Sequence, residues 1–306
     1  VGELELRGRR LRLELTKPLV MAILNVGDDS VADPLHLRTP AERLARAHQL
    51  LEEGATLIDV GAISGRTDTP APTVAEELSR LLAVVEPLAE EGVLVSVDTW
   101  RAETVEAVLK AGAALINDVS GLADPRVAEL CADHGAGLVV MHTRAKPKHE
   151  HFPTYANVVA EVSDFLAQKA ALAERLGVGP KSLLLDPGLD FAKDPHHSIE
   201  LLRNLSTLRV LGLPLLLAVS RKYFIGMLTD RDPDKRLGGT LGAIAHGLAA
   251  GVEVVRVHDV GEVADFIAVY AALKGSGPVD LRGDRGDERL KWLPPKPVRS
   301  RKPRHS

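Results

Sequence analysis

Asp98, Asn117 and Asp186 each close a short apolar run, as do Asn25, Asp59, Ser220 and the pair Arg256 and His258. The runs read VMAILN, TLIDV, VLVSVD, ALIND, GLVVMH, SLLLD, LLLAVS and EVVRVHD. A carboxylate accepts two parallel N–H bonds, and an amide offers a donor and an acceptor together. Asp59, Asp98, Asn117 and Asp186, with Lys222 as a donor, would suit a flat polar heterocycle such as a pyrimidinone edge with its amino group and ring N–H. A lone Asp at a strand end more often caps the next loop; several converging on one place shift that balance. Arg221 and Lys222, which follow Ser220, and Arg256 with His258 suggest a second chemistry. Arg forks onto phosphate oxygens and Lys supplies a point charge, so four such groups at one pole favour anion binding. Asn25 adds a neutral oxygen that could hold Mg2+ on a diphosphate.

Positioning these residues requires a repeated element. Between consecutive apolar runs lies a stretch of helical character, and eight strand–helix alternations are the sequence form of a (β/α)8 TIM barrel. Chemistry in such barrels sits at the C-terminal ends of the strands, which places all the polar terminators in one mouth. Thr39-Pro40 opens the first helix, with Leu44, Ala47, Leu50 and Leu51 as its buried stripe. Further helices are expected near residues 73–90, 102–111, 125–134, 155–176, 198–211, 237–251 and 261–273. Most are followed by a glycine suited to a left-handed cap.

The composition bounds the rest. The 306 residues are 45% hydrophobic and 26% charged with a formal net charge of −4, so the chain carries no nucleic-acid-like bias. Its one cysteine, Cys131, excludes an intramolecular disulfide, fits a reducing cytoplasm and reads as buried packing. No run approaches the roughly 20 apolar residues that span a bilayer. Residues 1–17 alternate charged and apolar side chains, reading as a β-hairpin turning at Gly8-Arg9-Arg10 that plugs the barrel bottom, not as a signal peptide. The barrel domain is expected within residues 1–275. Residues 276–306 read as a flexible tail, with six Lys or Arg, four Pro and no acid from Lys291 onward. His149-Glu150-His151 has metal-pair spacing but lies in a polar loop with no further ligand nearby, and reads as solvated.

Taken together, the segments resemble dihydropteroate synthases. The matching motifs are ILNVxxDS at 23–30, SVDT at 96–99, INDVSG at 116–121 and MH at 141–142. They continue with LDPGLxFxK at 185–193, SRKxFIG at 220–226, GT at 239–240 and RVHDV at 256–260. The resemblance runs in order over residues 18–274. It implies an enzyme joining 6-hydroxymethyl-7,8-dihydropterin diphosphate to p-aminobenzoate on the way to folate, through an SN1-like loss of diphosphate. It further implies that Asp98, Asn117, Asp186 and Lys222 hold the pterin, with Met141 and Phe191 on its faces. Asn25, Arg256 and His258 would hold diphosphate with Mg2+, aided by Arg66, and Asp29 would stabilise the cation. The second substrate would meet Val31, Ser220 and Tyr223. Homodimerisation is a further implication.

The chain departs from the family pattern unevenly. Where the pattern has NVTPDSF, residues 25–31 read NVGDDSV, so Val31 replaces the Phe that walls the p-aminobenzoate ring. GESTRP becomes AISGRT at 62–67, keeping Arg66. Tyr223 replaces the Ser that receives the p-aminobenzoate carboxylate, and Asp190 and Ala218 replace two glycines of the pterin slot. The pterin and diphosphate anchors mostly survive while the amine side is altered, which implies weakened use of p-aminobenzoate. Two rival readings follow: a relative that uses another nucleophile, and a non-catalytic pterin-binding protein with Asp190 intruding into the slot.

Overall fold

Successive side chains on a strand point to opposite faces, so parity decides which strand residues meet the barrel axis. The structure is a computed structural model describing residues 2–27, 37–64, 69–149 and 151–275, with Val279, Leu281, Gly283 and Leu290. A hairpin of β1 (Gly2–Leu6) and β2 (Arg9–Leu13) comes first. It precedes the barrel strands β3 (Leu19–Asn25), β4 (Leu57–Gly61), β5 (Val95–Asp98) and β6 (Leu115–Asp118). The ring continues with β7 (Gly137–Met141), β8 (Leu183–Asp186), β9 (Leu216–Leu217) and β10 (Val254–Val257). These eight are parallel in the order β8-β7-β6-β5-β4-β3-β10-β9. A bridge between Leu185 and Leu215, with the Leu185 N–H donating to Pro214 at 2.9 Å, brings β8 to β9 and closes the ring.

One parity faces the helices: Val20, Ala22, Leu24, Ile58, Val60, Val95 and Val97 belong to the large outer core. The other faces the axis in layers. Met21, Leu57, Leu94, Leu115, Val139, Leu184, Leu216 and Val254 form a separate apolar cluster at the lower end. Two residues further along those strands stand Ile23, Asp59, Ser96, Asn117, Met141, Asp186, Ala218 and Arg256. A dry layer thus lies beneath a polar one, and the change occurs within a single step of two residues.

The hairpin seals the lower end, since Leu4, Leu6 and Leu13 join the lower cluster. Its turn is at Arg7 and Gly8, one residue earlier than the expected Gly8-Arg9-Arg10, because Leu6 pairs with Arg9. Both turn residues have positive φ, at 47° and 76°, the two-residue geometry whose twist suits a hairpin.

The helices α1 (Pro40–Glu52), α2 (Val74–Glu90), α3 (Ala102–Lys110), α4 (Arg126–Asp133) and α5 (Val158–Arg175) follow the expected positions. Thr39 with Glu42 and Thr73 with Glu76 form capping boxes, each satisfying two orphan donors at a helix start. The helix expected at 198–211 begins earlier, where Asp194 caps α6 (Pro195–Arg203), and breaks at Asn204 before α7 (Leu205–Leu208). The strand read as running to Ser220 ends at Leu217, since residues 218–222 turn away. There the Arg221 N–H donates to Thr240 Oγ1 and Arg236 Nη1 donates to the Arg221 and Lys222 carbonyls. That turn leads into α8 (Tyr223–Thr229), which the sequence pattern had not indicated. The ring ends with α9 (Leu237–Ala249) and α10 (Val260–Lys274). No helix among the described residues is long and apolar enough to cross a membrane.

Candidate active site

Asp59 is the hub of the polar layer. Fully buried, it accepts from Ser96 Oγ at 2.5 Å, Asn117 Nδ2 at 3.1 Å and Arg256 Nε at 2.6 Å. The second arm of Arg256 reaches Asp98 Oδ2 at 2.9 Å. Asn117 and Arg256, two of the expected site residues, are thereby tied through Asp59, and a third, Asp98, joins them through Arg256. Two carboxylates share one guanidinium, and Asp59 has the better set of partners. Burial pushes the Asp98 carboxyl up to about 7, with Arg256 opposing and the Asp59 charge reinforcing the rise. Asp118, next to Asn117 on the opposite strand face, adds its charge to the rise of Asp98. Its carboxylate caps the following loop, accepting from the N–H groups of Ser120 and Leu122.

The second half of the site is a loop whose backbone is held open by side chains. After β8, Asp186 Oδ1 accepts from the Gly188 N–H at 2.7 Å. Gly188 has φ +67°, and a Cβ there would stand 2.0 Å from the His142 carbonyl oxygen, so the turn requires glycine. Lys193, only 1% exposed, lies within hydrogen-bond reach of the Gly188 and Phe191 carbonyls and of His142 Nδ1 and carbonyl, at 2.8–3.2 Å. Burial lowers the Lys193 ammonium to about 7, and burial with the Lys193 charge lowers His142 to about 3. A neutral His142 can therefore accept from Lys193. Tyr155 Oη donates to the Ala192 carbonyl, and Lys222 Nζ donates to the Leu189 carbonyl at 2.9 Å. Lys222 Nζ also sits 4.5 Å from the centre of the Phe191 ring. Burial raises Asp186 and lowers Lys222, with each charge opposing the shift of the other.

At the end of β10, His258 lies against Ser220. The serine hydroxyl accepts from the His258 backbone N–H at 3.2 Å and is 3.0 Å from Nδ1, which fixes the ring. Burial and the Arg221 and Arg256 charges hold the imidazole down at about 3, so it is neutral at physiological pH. Ser220, expected on the second-substrate side, thus also touches His258. Asn25 ends β3 opposite Gly61, and Met141 ends β7 opposite Asp186. Asp98, Phe191, Lys222 and Tyr223 line one cleft of about 540 Å³.

Residues 21–258 match the family described as "Pterin binding enzyme". The chain is 36% identical over 265 residues to dihydropteroate synthase of Bacillus subtilis, covering 86% of this chain and 91% of that protein. It is 39% identical over 277 residues to that of Mycobacterium leprae, covering 87% and 97%. The chain belongs to the dihydropteroate synthase family. Among solved structures, a Xanthomonas albilineans dihydropteroate synthase with 4-aminobenzoic acid superposes with a TM-score of 0.82 at 37% identity, covering 90% of this chain and 99% of that one. A Thermus thermophilus dihydropteroate synthase in complex with 6HMPPP gives 0.77 at 39%, covering 89% and 99%.

For a dihydropteroate synthase family member, the altered positions are placed informatively. Asp190, at φ +64°, turns its carboxylate toward α6 and α8, accepting from Ser198 Oγ at 3.0 Å and from the Tyr223 N–H at 2.6 Å. Its bonds thus lie away from Asp186, Asp98 and Asn117. Tyr223 is half-exposed at the cleft, and Ala218 packs against the lower apolar cluster. Asp29, Val31 and Arg66 lie outside the described residues, as does Glu150, and no group of three or more metal-ligating side chains occurs among the described ones.

The tasks of Asp59, Lys193 and Glu77 do not show in the sequence pattern alone. Glu77 is buried on α2, accepting from Thr99 Oγ1 at 2.6 Å and Arg101 Nη1 at 2.8 Å, and so props the loop after Asp98. A lysine two residues past a Gly-x-x-Phe turn was visible within the LDPGLxFxK motif. Nothing local marks an acid in mid-helix as a loop support.

Proposed function

We propose that the chain joins the methylene carbon of 6-hydroxymethyl-7,8-dihydropterin diphosphate to the nitrogen of an aromatic amine of the p-aminobenzoate type. The C–O bond to diphosphate breaks, the amine lone pair forms the new C–N bond, and the amine proton leaves to solvent. The observation that carries this reading is the polar barrel mouth, in which Asp98 ends β5, Asn117 is next to last on β6 and Asp186 ends β8, with the Lys222 charge acting on Asp186. Those acceptors and donors fit a pterin edge. Met141 and Phe191 supply apolar faces for the ring.

Asn25, Arg256 and His258 are proposed to hold the diphosphate. Mg2+ fits beside them: it often takes one or two protein ligands with substrate phosphates, and Asn25 offers one such oxygen. When bound it would neutralise charge on the leaving group. Asp29 is proposed to stabilise the developing cation and Arg66 to assist the diphosphate. Val31, Ser220 and Tyr223 are assigned to the amine side. A homodimer is proposed as the working form, with Val269 and Leu273, exposed on α10, as apolar surface available to it. A cytoplasmic setting accords with the single buried thiol.

The test is incubation with the pterin diphosphate, Mg2+ and p-aminobenzoate, with product mass and released diphosphate measured. Pterin binding without any condensed product would favour a non-catalytic pterin-binding protein.

A further inference from the structure

From Gly188 to Ala192 every second residue is left-handed: Gly188, Asp190 and Ala192 have φ of 67°, 64° and 50°. Glycine takes that conformation freely, whereas an alanine there costs roughly 1–2 kcal/mol, so the loop needs holding. Side chains hold its carbonyls. Lys222 Nζ donates to Leu189 and Tyr155 Oη to Ala192, while Lys193 Nζ takes both Gly188, at 2.9 Å, and Phe191, at 3.0 Å. The same ammonium reaches back to β7, 2.8 Å from His142 Nδ1 and 3.2 Å from the His142 carbonyl. Four acceptors thus surround three N–H donors, an arrangement suited to the charged amine and a neutral imidazole. Gly188 is gripped on both sides, since its N–H donates to Asp186 Oδ1 at 2.7 Å. The Lys193 charge, after that of Lys222, also opposes the rise that burial imposes on Asp186.

We infer that Lys193 is a positioning residue for the pterin: its buried ammonium ties the end of β7 to the loop after β8 and so sets the Phe191 ring and the Asp186 carboxylate in place. This rests on the pterin-binding reading given above. Lys193 is 1% exposed and its protons are spent on the chain, so it acts through its neighbours. Phe191 is placed because Lys193 holds its carbonyl. Asp186 is placed because the N–H it accepts belongs to Gly188, whose carbonyl Lys193 also holds. Lys222 and Tyr155 each hold one other carbonyl of the loop, and a ligand that draws Lys222 away from Leu189 leaves the Lys193 clamp intact. Without Lys193, buried carbonyls and the imidazole nitrogen lose their donor, and the left-handed residues are released to relax.

The experiment titrates the full chain with 6-hydroxymethyl-7,8-dihydropterin diphosphate and Mg2+ by calorimetry, which reports affinity and the number of competent sites separately. Lys193→Met keeps the apolar stem and offers neither proton nor charge. Its Kd should rise by about tenfold, the size expected when buried acceptors lose a charged donor. Lys193→Gln, which restores N–H donors without charge, should recover part of that loss. A merely structural role would instead lower the number of competent chains at an unchanged Kd. Leu6→Ala, at the far end of the barrel, is the control for such damage, and its Kd should stay at the wild-type value. A folded Lys193→Met protein with wild-type Kd, or a loss confined to site number, overturns the inference while leaving the pterin reading intact. Should the Met variant not fold, Lys193→Gln decides by the same measure, a raised Kd supporting the inference and an unchanged one overturning it. Wild-type protein that binds no pterin diphosphate sinks the pterin reading, and the inference falls with it.

Discussion

Asp98 and Asp59 compete for one guanidinium, and the outcome sets a pH dependence. The Asp98 carboxyl, normally near 3.8, sits at about 7 in the folded chain. Between those values the folded state holds a proton that the unfolded state releases. The stabilising contribution of Asp98 is therefore fully present below its unfolded value and is lost as pH rises through about 7. Ligand binding runs the other way. If pterin N–H groups donate to ionised Asp98, affinity should rise from pH 6 to 8 by about an order of magnitude. Calorimetry across that range checks this, and Asp98→Asn should flatten the profile. For Asp186→Ala we expect a loss of roughly 2–4 kcal/mol in pterin binding, since a charge-assisted pair of acceptors is deleted from a buried slot. Unchanged affinity in that variant would refute the assignment. At this scale the residues gathered in the barrel mouth were legible because they end apolar runs. Asp59 was legible as a strand-end acid, but its task was not: its partner Arg256 is 197 positions away, and only folding brings them together.

Among the elements, the loop from Asp186 to Lys193 does most to shape the site, and side chains hold it more than backbone pairing does. Gly188→Ala places a methyl group against the His142 carbonyl in a left-handed backbone conformation, which alone costs an L-residue about 1–2 kcal/mol. We expect a lowered melting temperature together with lost pterin binding, measured by thermal unfolding and calorimetry. A variant with native affinity would show that the turn is not needed. Helix starts were legible where capping chemistry is local, as at Thr39 and Thr73. The short helix bearing Tyr223 was not. Its seven residues are too few for a periodic signal, and it is fixed by contacts from Asp190 and Arg236 that lie outside its own sequence.

Across the whole molecule, the barrel class followed from eight repeats of strand and helix, and the structure bears it out through the parallel order and the Leu185–Leu215 closure. The hairpin was legible as a plug because its apolar residues alternate. Its burial is complete at Leu4 and Leu6. Leu6 also fills the space that a side chain at Gly137 would need, with its Cδ2 standing 2.4 Å from where a Cβ would be. Leu6→Ala should therefore cost roughly 2–5 kcal/mol of stability by leaving a cavity under the ring. Urea titration would report this as a lower midpoint at an unchanged slope, and a midpoint within error of wild type would mean that the plug is dispensable.

The same plug constrains the order of folding. β1 and β2 precede every barrel strand, yet their leucines pack against Met21 at one end of the barrel sequence and Val254 at the other. The seat they occupy is complete only when β10 has joined β3 and β9. Contacts spanning nearly the whole barrel sequence are slow to form, because chain closure must precede the contacts that reward it. The hairpin, made before the ring, should thus be among the last parts to become fixed. While waiting it presents three leucines to solvent, a window in which dilution or a chaperone favours the native outcome over association between chains.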